Sequence, residues 1–251
     1  MTTTDATSLE ERLVRLETLA ARANDRGAVE NLFSTYMYLH NAFRDEEIIP
    51  LWVKPDTPGI RAQYSNVGVY TTWERVTEYH RGRPAPKGKL ILHYTTTPVI
   101  EVAEDGETAK GLWIMTGLES GLTDQDVAAE LPPYLFAPEE VDGKKVWAHW
   151  VWCKYGIDFL KQDGAWRIWH FHCFEVARAP YDENWISFAA HDAESFDKDL
   201  MYFGEDGRPR FMPDPDEPAT WLSRRYRPTE SQTLDPPPPA PYRTFAETFE
   251  Y

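Results

Sequence analysis

Four of the seven histidines of this 251-residue chain lie in aromatic stretches of the sequence. They are His40, His93, His170 and His172. Imidazole gives and takes protons near neutral pH, so these positions point to general acid–base chemistry. A single histidine in such a stretch is more often structural, so the hypothesis depends on the fold bringing several of them together.

The dipeptide Asp163-Gly164 predicts how two of these histidines are placed, because Asp-Gly is typical of a two-residue hairpin turn. Counting outward from the turn gives three facing pairs: Phe159 with Ile168, Ile157 with His170, and Tyr155 with His172. Side chains alternate between the faces of a strand, so His170, His172 and Tyr155 should share the face that covers the helices. A β-bulge would exchange the faces beyond it.

The same register places Lys154 on the opposite face and separates the two cysteines. Cys153 would face Phe174 and Cys173 would face Lys154, so we expect two buried, inert thiols. Without a CxxC motif, neither a disulfide framework nor a structural zinc site is indicated. A metal held by the His-x-His pair is the alternative, but no carboxylate or cysteine accompanies the pair at ligand spacing. No metal is therefore predicted.

Helical periodicity dominates the first part of the chain. Leucines at three- and four-residue steps predict a helix over Ser8–Ala23, with Ser8 as its N-cap and Glu11 completing a capping box. We expect a break over Asn24–Gly27 and a second helix over Ala28–Arg44, whose apolar stripe carries Tyr36 and His40. Three shorter elements are predicted after it: a helix over Asp45–Trp52, a strand over Ile60–Tyr64 and a helix over Thr71–His80.

From Lys89 onward the period changes to two, which indicates strands. Four are predicted, over Lys89–Val102, Thr108–Leu118, Lys145–Lys161 and Ala165–Val176, with an acidic insertion over Glu119–Asp142. The proline-rich end cannot form a continuous helix or a central strand, so we expect an extended arm that packs on the protein or on a neighbouring subunit; a disordered tail is the alternative.

Helices followed by antiparallel strands predict an α+β fold, a cone-shaped barrel with the N-terminal helices packed in a curved sheet around a closed-ended pocket. We expect three regions: an N-terminal helix over 1–27, the barrel domain over 28–180 and a C-terminal extension over 181–251.

Composition restricts the partners. The net charge is −15, which disfavours nucleic acid and anionic lipid surfaces. Aromatic residues make up 14% of the chain, enough to line a pocket for a flat ligand. No secretory signal or membrane span is visible, and two unpaired cysteines fit a reducing compartment, so a cytoplasmic location is expected. Tryptophan-rich strands and the arm predict a homo-oligomer, a dimer or trimer.

Four segments follow one another in a recognisable order: LEERLVRLE, AVENLFSTYMYLH, LHYTTTPVIEVAEDGETA and YGIDFLKQDGAWRI. Together they resemble the SnoaL-like branch of the nuclear transport factor 2-like superfamily. The resemblance implies a cone-shaped α+β fold, a pocket histidine at His93 and cofactor-independent dehydratase, isomerase, cyclase or lyase activity on hydrophobic substrates. The chain departs from it where many members carry an aspartate near His40-Asn41, and where many carry an asparagine at the position of Thr97.

Within that superfamily, the segments WAHWVWCKYG and WHFHCF, the length and the extended end are similar to lyases that remove formaldehyde from diarylpropane lignin dimers. That resemblance implies benzylic dehydroxylation, a quinone methide, release of formaldehyde and a stilbene product, without a cofactor. The alternatives are a SnoaL-like dehydratase, isomerase or cyclase on another hydrophobic substrate, and a non-enzymatic small-molecule binder.

The candidate residues fall into two groups. Five are predicted to be catalytic: His93, Tyr155, His170, His172 and Lys154. Five are predicted to bind the substrate: Tyr36, His40, Arg61, Trp52 and Tyr64. Within this scheme a histidine or tyrosine protonates the leaving hydroxyl, and Lys154 or Arg61 holds the phenolate.

Overall fold

A computed structural model describes residues 8–81, 88–131, 133–191, 201–203, 209–211 and 214–251. The helices in these ranges are α1 (Leu9–Asn41), α2 (Asp45–Ile48), α3 (Trp73–Arg81), α4 (Gln125–Ala128) and α5 (Trp185–His191). Short 3-10 turns occur at Ile49–Leu51, Pro133–Leu135 and Phe245–Glu247. In the described part of the chain, no helix is both long enough and apolar enough to cross a membrane.

One mixed sheet forms the body of the protein. Its strands are β1 (Arg61–Tyr64), β2 (Val69–Tyr70), β3 (Leu90–Val102), β4 (Thr108–Thr123), β5 (Glu140–Val141), β6 (Lys144–Gln162) and β7 (Ala165–Pro180). The order is β2-β1-β7-β6-β4-β3, with β5 paired to β6. Among the described strands of this sheet, β1 and β7 pair in parallel and the other pairs are antiparallel. Two short strands, β8 (Met201–Phe203) and β9 (Pro209–Phe211), pair separately.

Helix α1 lies across the concave face of this sheet and forms the core with it. Phe33 is fully buried, and its ring centroid is 4.4 Å from that of Trp113 on β4. Phe171 of β7 packs against Tyr36 of α1 and Tyr155 of β6, with ring centroids 5.4 and 5.3 Å apart. Aromatic rings therefore fill the space between helix and sheet, and the predicted α+β cone is confirmed.

The predicted break at Asn24–Gly27 is wrong, because α1 is continuous from Leu9 to Asn41. One residue of the expected break, Asp25, is hydrogen-bonded to the sheet. Asp25 accepts hydrogen bonds from the Lys161 ammonium and the Trp166 indole, 2.9 Å each, in the β6–β7 hairpin. A single interior glycine costs a helix only about 1 kcal/mol, which such contacts offset. The predicted capping box of Ser8 and Glu11 is present.

Two bulges in β7 change the predicted register. Phe159 pairs with Ile168 as expected, but the extra residue Trp169 then places Asp158, not Ile157, opposite His170. A second irregularity lies near Val176. Beyond the first bulge the faces of β7 are exchanged, as expected for an inserted residue.

The bulge moves the side chains that the sequence had placed. His172 pairs with Gly156 and not with Tyr155, so His170 and His172 lie on the convex face, away from α1. Tyr155 now pairs with Cys173. Both cysteines therefore turn toward the concave face, and the expectation that they face away from each other is wrong.

Two strands are longer than predicted. β4 continues through Glu119 to Thr123, so the expected acidic insertion begins as strand. β7 continues past Val176 to Pro180. The extra residues include Glu119 and Arg178, whose charged side chains line a cavity inside the cone.

The C-terminal segment, residues 214–251, runs without long regular elements over the convex face. Trp221 and Tyr251 pack on Phe174 and Phe249, and Tyr251 is 3% exposed. Gly156 admits this contact, since a Cβ there would lie 2.4 Å from the Tyr251 ring. The extended arm is therefore packed on its own sheet over these residues. Parts of the predicted arm, 192–200, 204–208 and 212–213, lie outside the described residues.

Candidate active site

A cavity of about 70 Å³ lies inside the cone, between α1 and the concave face of the sheet. One water needs about 10–15 Å³ measured this way, so the cavity has room for about five waters, which is about the size of one phenolic ring. Its wall is mostly aromatic and apolar, with a small set of titratable groups. The lining residues are Tyr36, His40, Tyr64, Ser65, His93, Met115, Glu119, Val151, Cys153, Tyr155, Phe171, Cys173, Glu175 and Arg178.

His93 of β3 is at the centre of the polar groups. Its Nε2 lies 3.0 Å from Oε1 of Glu119 on β4. Its Nδ1 lies 3.2 Å from Nε2 of His40 on α1 and 3.4 Å from the hydroxyl of Tyr155 on β6. One imidazole on β3 thus joins a carboxylate, a second imidazole and a phenol, which come from three other elements.

The backbone of His93 is fixed by the end of α1. The Asn41 side-chain Nδ2 donates to the His93 backbone carbonyl at 3.1 Å, and the Asn41 side-chain Oδ1 accepts from the His93 backbone N–H at 3.0 Å. Gly117, opposite on β4, leaves space for the imidazole, because a Cβ there would lie 2.7 Å from His93 Cδ2. The helix end and a glycine in the neighbouring strand therefore set the position of the ring.

Charge at the site is arranged so that Glu119 stays ionised. Burial raises the pKa of the Glu119 carboxyl, but the Arg178 guanidinium, 3.2 Å away, and the hydrogen bond from His93 outweigh it and hold that pKa well below its usual range. Burial lowers the pKa of Arg178, and the two carboxylates of Glu119 and Glu175 raise it further than burial lowers it.

An ionised carboxylate only accepts hydrogen bonds, so it selects the His93 tautomer that carries its proton on Nε2. The Nδ1 of neutral His93 is then a bare acceptor beside the Tyr155 hydroxyl and the His40 Nε2. A base oriented by a carboxylate and facing a proton donor is an arrangement that can move protons to and from a bound molecule.

The structure brings five of the ten predicted residues together at this cavity. They are Tyr36, His40, Tyr64, His93 and Tyr155. The other five lie elsewhere: four on or beside the convex face and one in the core wall.

His170 and His172 are on the convex face because of the bulge at Trp169. His170 Nδ1 is 2.9 Å from Oδ2 of Asp158, whose other oxygen binds Lys110. His172 stacks on Phe174 at 3.6 Å between ring centroids. Burial, with a contribution from the Arg61 cation, lowers the pKa of His172 to about 3, so this ring is uncharged at neutral pH.

Lys154 and Arg61 are occupied by the C-terminal segment. The Lys154 ammonium donates to the Asp235 carbonyl at 2.6 Å. Arg61 donates to Glu250 at 3.0 Å and to the Thr220 hydroxyl at 2.9 Å. Neither lines the cavity, so the expectation that they hold a phenolate there is wrong.

Trp52 is buried in the wall of the core, where its indole nitrogen donates to His80 Nε2 at 3.2 Å. Trp52 directly follows α2 and the 3-10 turn Ile49–Leu51, so the helix predicted over Asp45–Trp52 ends one residue before it. The position is close to the cavity's aromatic wall through Phe171, 6.2 Å between ring centroids, but the side chain does not line the cavity.

Sequence reasoning missed the charged part of the site. Glu119, Glu175 and Arg178 lie where the predicted strands were too short or their faces exchanged. Glu119 was detectable, because it continues the two-residue period of Trp113, Met115 and Gly117. No comparable signal marks Glu175 and Arg178, which follow the bulges.

No group of three or more His, Cys, Asp or Glu side chains in the described ranges is arranged to hold a metal ion. The His-x-His pair is divided between Asp158 and an aromatic stack, as described above.

The SnoaL-like domain family matches residues 21–172, more than half of the chain. The chain belongs to this family. The match begins within α1, ends halfway along β7 and includes His40, His93, Glu119 and Tyr155. Glu175, Arg178 and the C-terminal segment lie beyond it.

Several solved structures are similar to this SnoaL-like chain. A putative scytalone dehydratase from Novosphingobium aromaticivorans has 14% identity and a TM-score of 0.49, covering 66% of this chain and 93% of its own. LinA has 12% identity and a TM-score of 0.49, with 66% and 96% covered. A LinA-type3 hexachlorocyclohexane dehydrochlorinase from Novosphingobium barchaimii has 14% identity and a TM-score of 0.47, with 66% and 95% covered. No curated protein matches the chain.

Proposed function

We propose that this SnoaL-like protein is a cofactor-independent lyase that eliminates a hydroxyl group from a phenolic substrate held in the cavity. The observation that carries the proposal is His93, oriented by ionised Glu119 and facing the Tyr155 hydroxyl and His40 inside an aromatic cavity. Such a pocket offers a base, an acid and little water, which strengthens each electrostatic interaction.

The geometry supports the following roles for the residues of the cavity. Tyr155 donates a proton to the leaving hydroxyl, which departs as water while the para-phenol pushes electrons toward the benzylic carbon. His93 Nδ1 accepts the proton that the substrate gives up in the second half of the reaction. The two groups are 3.4 Å apart, so the proton can return from His93 to Tyr155 and close the cycle. His40 is placed to hold the phenol proton in the meantime.

In its narrower form the substrate is a 1,2-diarylpropane-1,3-diol. Loss of water gives a quinone methide, His93 takes the proton of the terminal hydroxyl, the carbon–carbon bond to that carbon breaks and formaldehyde leaves. The electron pair of the broken bond restores aromaticity, and the products are a stilbene, formaldehyde and water. The quinone methide serves as the electron sink, so the scheme requires no cofactor.

One observation favours the alternative of a dehydratase or isomerase acting on a smaller molecule. The cavity has the size of about one aromatic ring, so a two-ring substrate would keep its second ring at the mouth. A single-ring alcohol would need the same acid and base, and would release water without formaldehyde.

The test is a paired product assay. Purified protein is incubated with a 1,2-diarylpropane-1,3-diol, and formaldehyde is trapped while stilbene absorbance is followed. Equimolar products would support the narrower proposal. Water loss without formaldehyde, from this or a single-ring benzylic alcohol, would replace it with the dehydratase. Binding without any turnover would leave only a small-molecule binder.

The variant His93→Gln should lower kcat/KM by about 10²–10⁴-fold, the usual contribution of a proton-transfer group. His172→Phe is the matched control, because that histidine lies on the opposite face and should leave turnover unchanged. Equal loss in both variants would contradict the assignment of His93.

We also propose a homo-oligomer, a dimer or trimer. The first half of α1 supports it, because four leucines, Leu9, Leu13, Leu16 and Leu19, are each more than half exposed along one stripe. The mass in solution would give the number of copies. The cytoplasmic location and the division of the chain at 27 and 180 stay predictions.

A further inference from the structure

A row of alternating charges leads away from His93 toward the C-terminal segment. Glu119 shares its carboxylate between His93 and Arg178. The Arg178 Nε lies 3.3 Å from Oε2 of Glu175, which lies on the same strand. The other oxygen of Glu175 lies 3.0 Å from Nη2 of Arg225. The row therefore ends on a residue that the SnoaL-like match does not include.

Arg225 is held in place by backbone contacts on both sides. The Tyr226 amide donates to the Val176 carbonyl at 2.6 Å, and the Ser223 amide donates to the Asn66 side chain at 2.7 Å. Arg225 itself donates to the Ser65 hydroxyl at 3.3 Å, and Ser65 lines the cavity. The guanidinium is therefore fixed against the wall of the site, although it comes from a distant part of the chain.

The last three charged groups of the row are almost inaccessible to solvent. The exposed fraction of the side chain is 9% for Arg178, 4% for Glu175 and 10% for Arg225. Screening is weak at such depth, so each charge acts strongly on its neighbours. A buried charge also needs a partner of opposite charge. The loss of one charged group of the row should therefore change how the remaining groups pair with one another.

We propose that Arg225 is a positioning residue of the candidate active site, which acts through Glu175 to hold Arg178 where it shares the Glu119 carboxylate with His93. The inference rests on the proposed function for its catalytic meaning. Its structural content, the link from the C-terminal segment to His93, stands on the contacts alone.

The order of the charges predicts the direction in which the pKa of His93 changes when each charge is removed. Removing the Arg225 cation lets Glu175 compete harder for Arg178, which weakens the hold of Arg178 on Glu119. The freed carboxylate stabilises protonated His93, so its pKa rises. Removing the Glu175 anion leaves two unbalanced guanidinium groups near the imidazole, so the pKa of His93 falls.

Other titratable groups face this row from each surrounding element, and they are unchanged in both variants. They are His40 and Tyr36 on α1, Tyr64 on β1, His149, Cys153 and Tyr155 on β6, and Cys173 on β7.

The experiment compares four full-length variants by NMR titration of the imidazoles, with pH profiles of turnover alongside. Arg225→Gln should raise the pKa of His93 by about 0.5–1 pH unit, and Glu175→Gln should lower it by a similar amount. The double variant loses opposite charges and should return close to the wild-type value. Arg224→Gln is the control, because its side chain is 70% exposed and contacts Asp235 instead.

Shifts of opposite sign that cancel in the double variant would establish the positioning role. Equal titration of His93 in all variants, or shifts of the same sign in both single variants, would overturn it. If one of the two single variants fails to fold, the other still decides the matter. A shift of the expected sign that returns toward the wild-type value in the charge-balanced double variant supports the role, and no shift overturns it. The titration needs no substrate, so an absence of turnover with diarylpropanes would refute the proposed function without touching this inference.

Discussion

The tautomer of His93, and therefore its role as a base, depends on the carboxylate of Glu119. Glu119 binds Nε2 and thereby leaves Nδ1 as the acceptor beside Tyr155. The family resemblance implies an aspartate near the end of the long helix. This chain has His40 and Asn41 there, and the carboxylate comes instead from β4. The position of the acid differs, but the imidazole still has an anionic partner.

This exchange predicts the effect of Glu119→Gln. The amide can accept a hydrogen bond but cannot balance the charge of protonated His93, so kcat/KM should fall by about 10²–10³-fold while the fold is kept. Turnover of the diol, or of whichever alcohol is accepted, measures it. Glu107→Gln, at an exposed position on the other end of the sheet, should change nothing. Activity within threefold of wild type in the Glu119 variant would contradict the role.

At the scale of elements, periodicity predicted most strands and failed where one residue was inserted. The hairpin pairing of Phe159 with Ile168 is confirmed, and everything beyond Trp169 is displaced. A bulge has no reliable local signature, because the inserted residue here is an ordinary strand former. Its effect reaches far along β7: His170, His172 and Cys173 all lie on the face opposite to the predicted one. The pocket position of His93 was implied by the family resemblance, and the bulge in β7 does not affect it because His93 lies on β3.

The helix error has the opposite origin. The local preferences of Asn24–Gly27 favour a break, and tertiary contacts of Asp25 with β6 and β7 override them. Propensity is a weak prior when a distant element satisfies the side chains concerned.

The continuous helix makes Gly27→Ala a test of this explanation. Nothing lies within 4 Å of a Cβ at Gly27, so alanine should raise the free energy of unfolding by about 0.5–1 kcal/mol. Gly164 is the matched control, since its surroundings are equally open but its φ is +77°. There alanine should lower the free energy of unfolding by about 1 kcal/mol. Urea denaturation of both variants measures the difference, and destabilisation by Gly27→Ala would contradict a helical Gly27.

At the scale of the whole molecule, the convex face is a second core, made when the C-terminal segment covers the sheet. It encloses groups that the sequence placed in the pocket, His172 among them, and it holds Lys110 against Asp158 under three aromatic rings, those of Phe245, Phe249 and Tyr251. The segment is thus a structural layer of the domain as well as the source of Arg225. Because this layer buries His172 in neutral form, its stability is tied to pH.

The sign of the pH dependence of the whole domain follows from two pKa values, that of His172 in this layer and that of His149, which lies outside the layer beside Leu135 and Arg178. Burial, aided by Arg61, lowers the pKa of His172 to about 3, and burial with the Arg178 cation lowers that of His149 to about 4. In the unfolded chain both take up a proton near pH 6.5. Their contribution to stability is therefore complete above pH 6.5, and it is lost as the pH falls toward the folded values. As the pH falls from 7.5 to 5, each of the two histidines should lower the free energy of unfolding by about 2 kcal/mol.

The variant His172→Phe isolates the contribution of His172 to the pH dependence of stability. The imidazole Nε2 has no hydrogen-bond partner among the described residues, and the ring stacks on Phe174, so a phenyl ring should be tolerated at pH 7.5. What changes is the slope: the variant should lose about 2 kcal/mol less than wild type between pH 7.5 and pH 5. Urea denaturation at several pH values measures both slopes. Parallel curves would mean that His172 is already accessible to protons in the folded protein, and hence that the C-terminal layer opens before the domain unfolds.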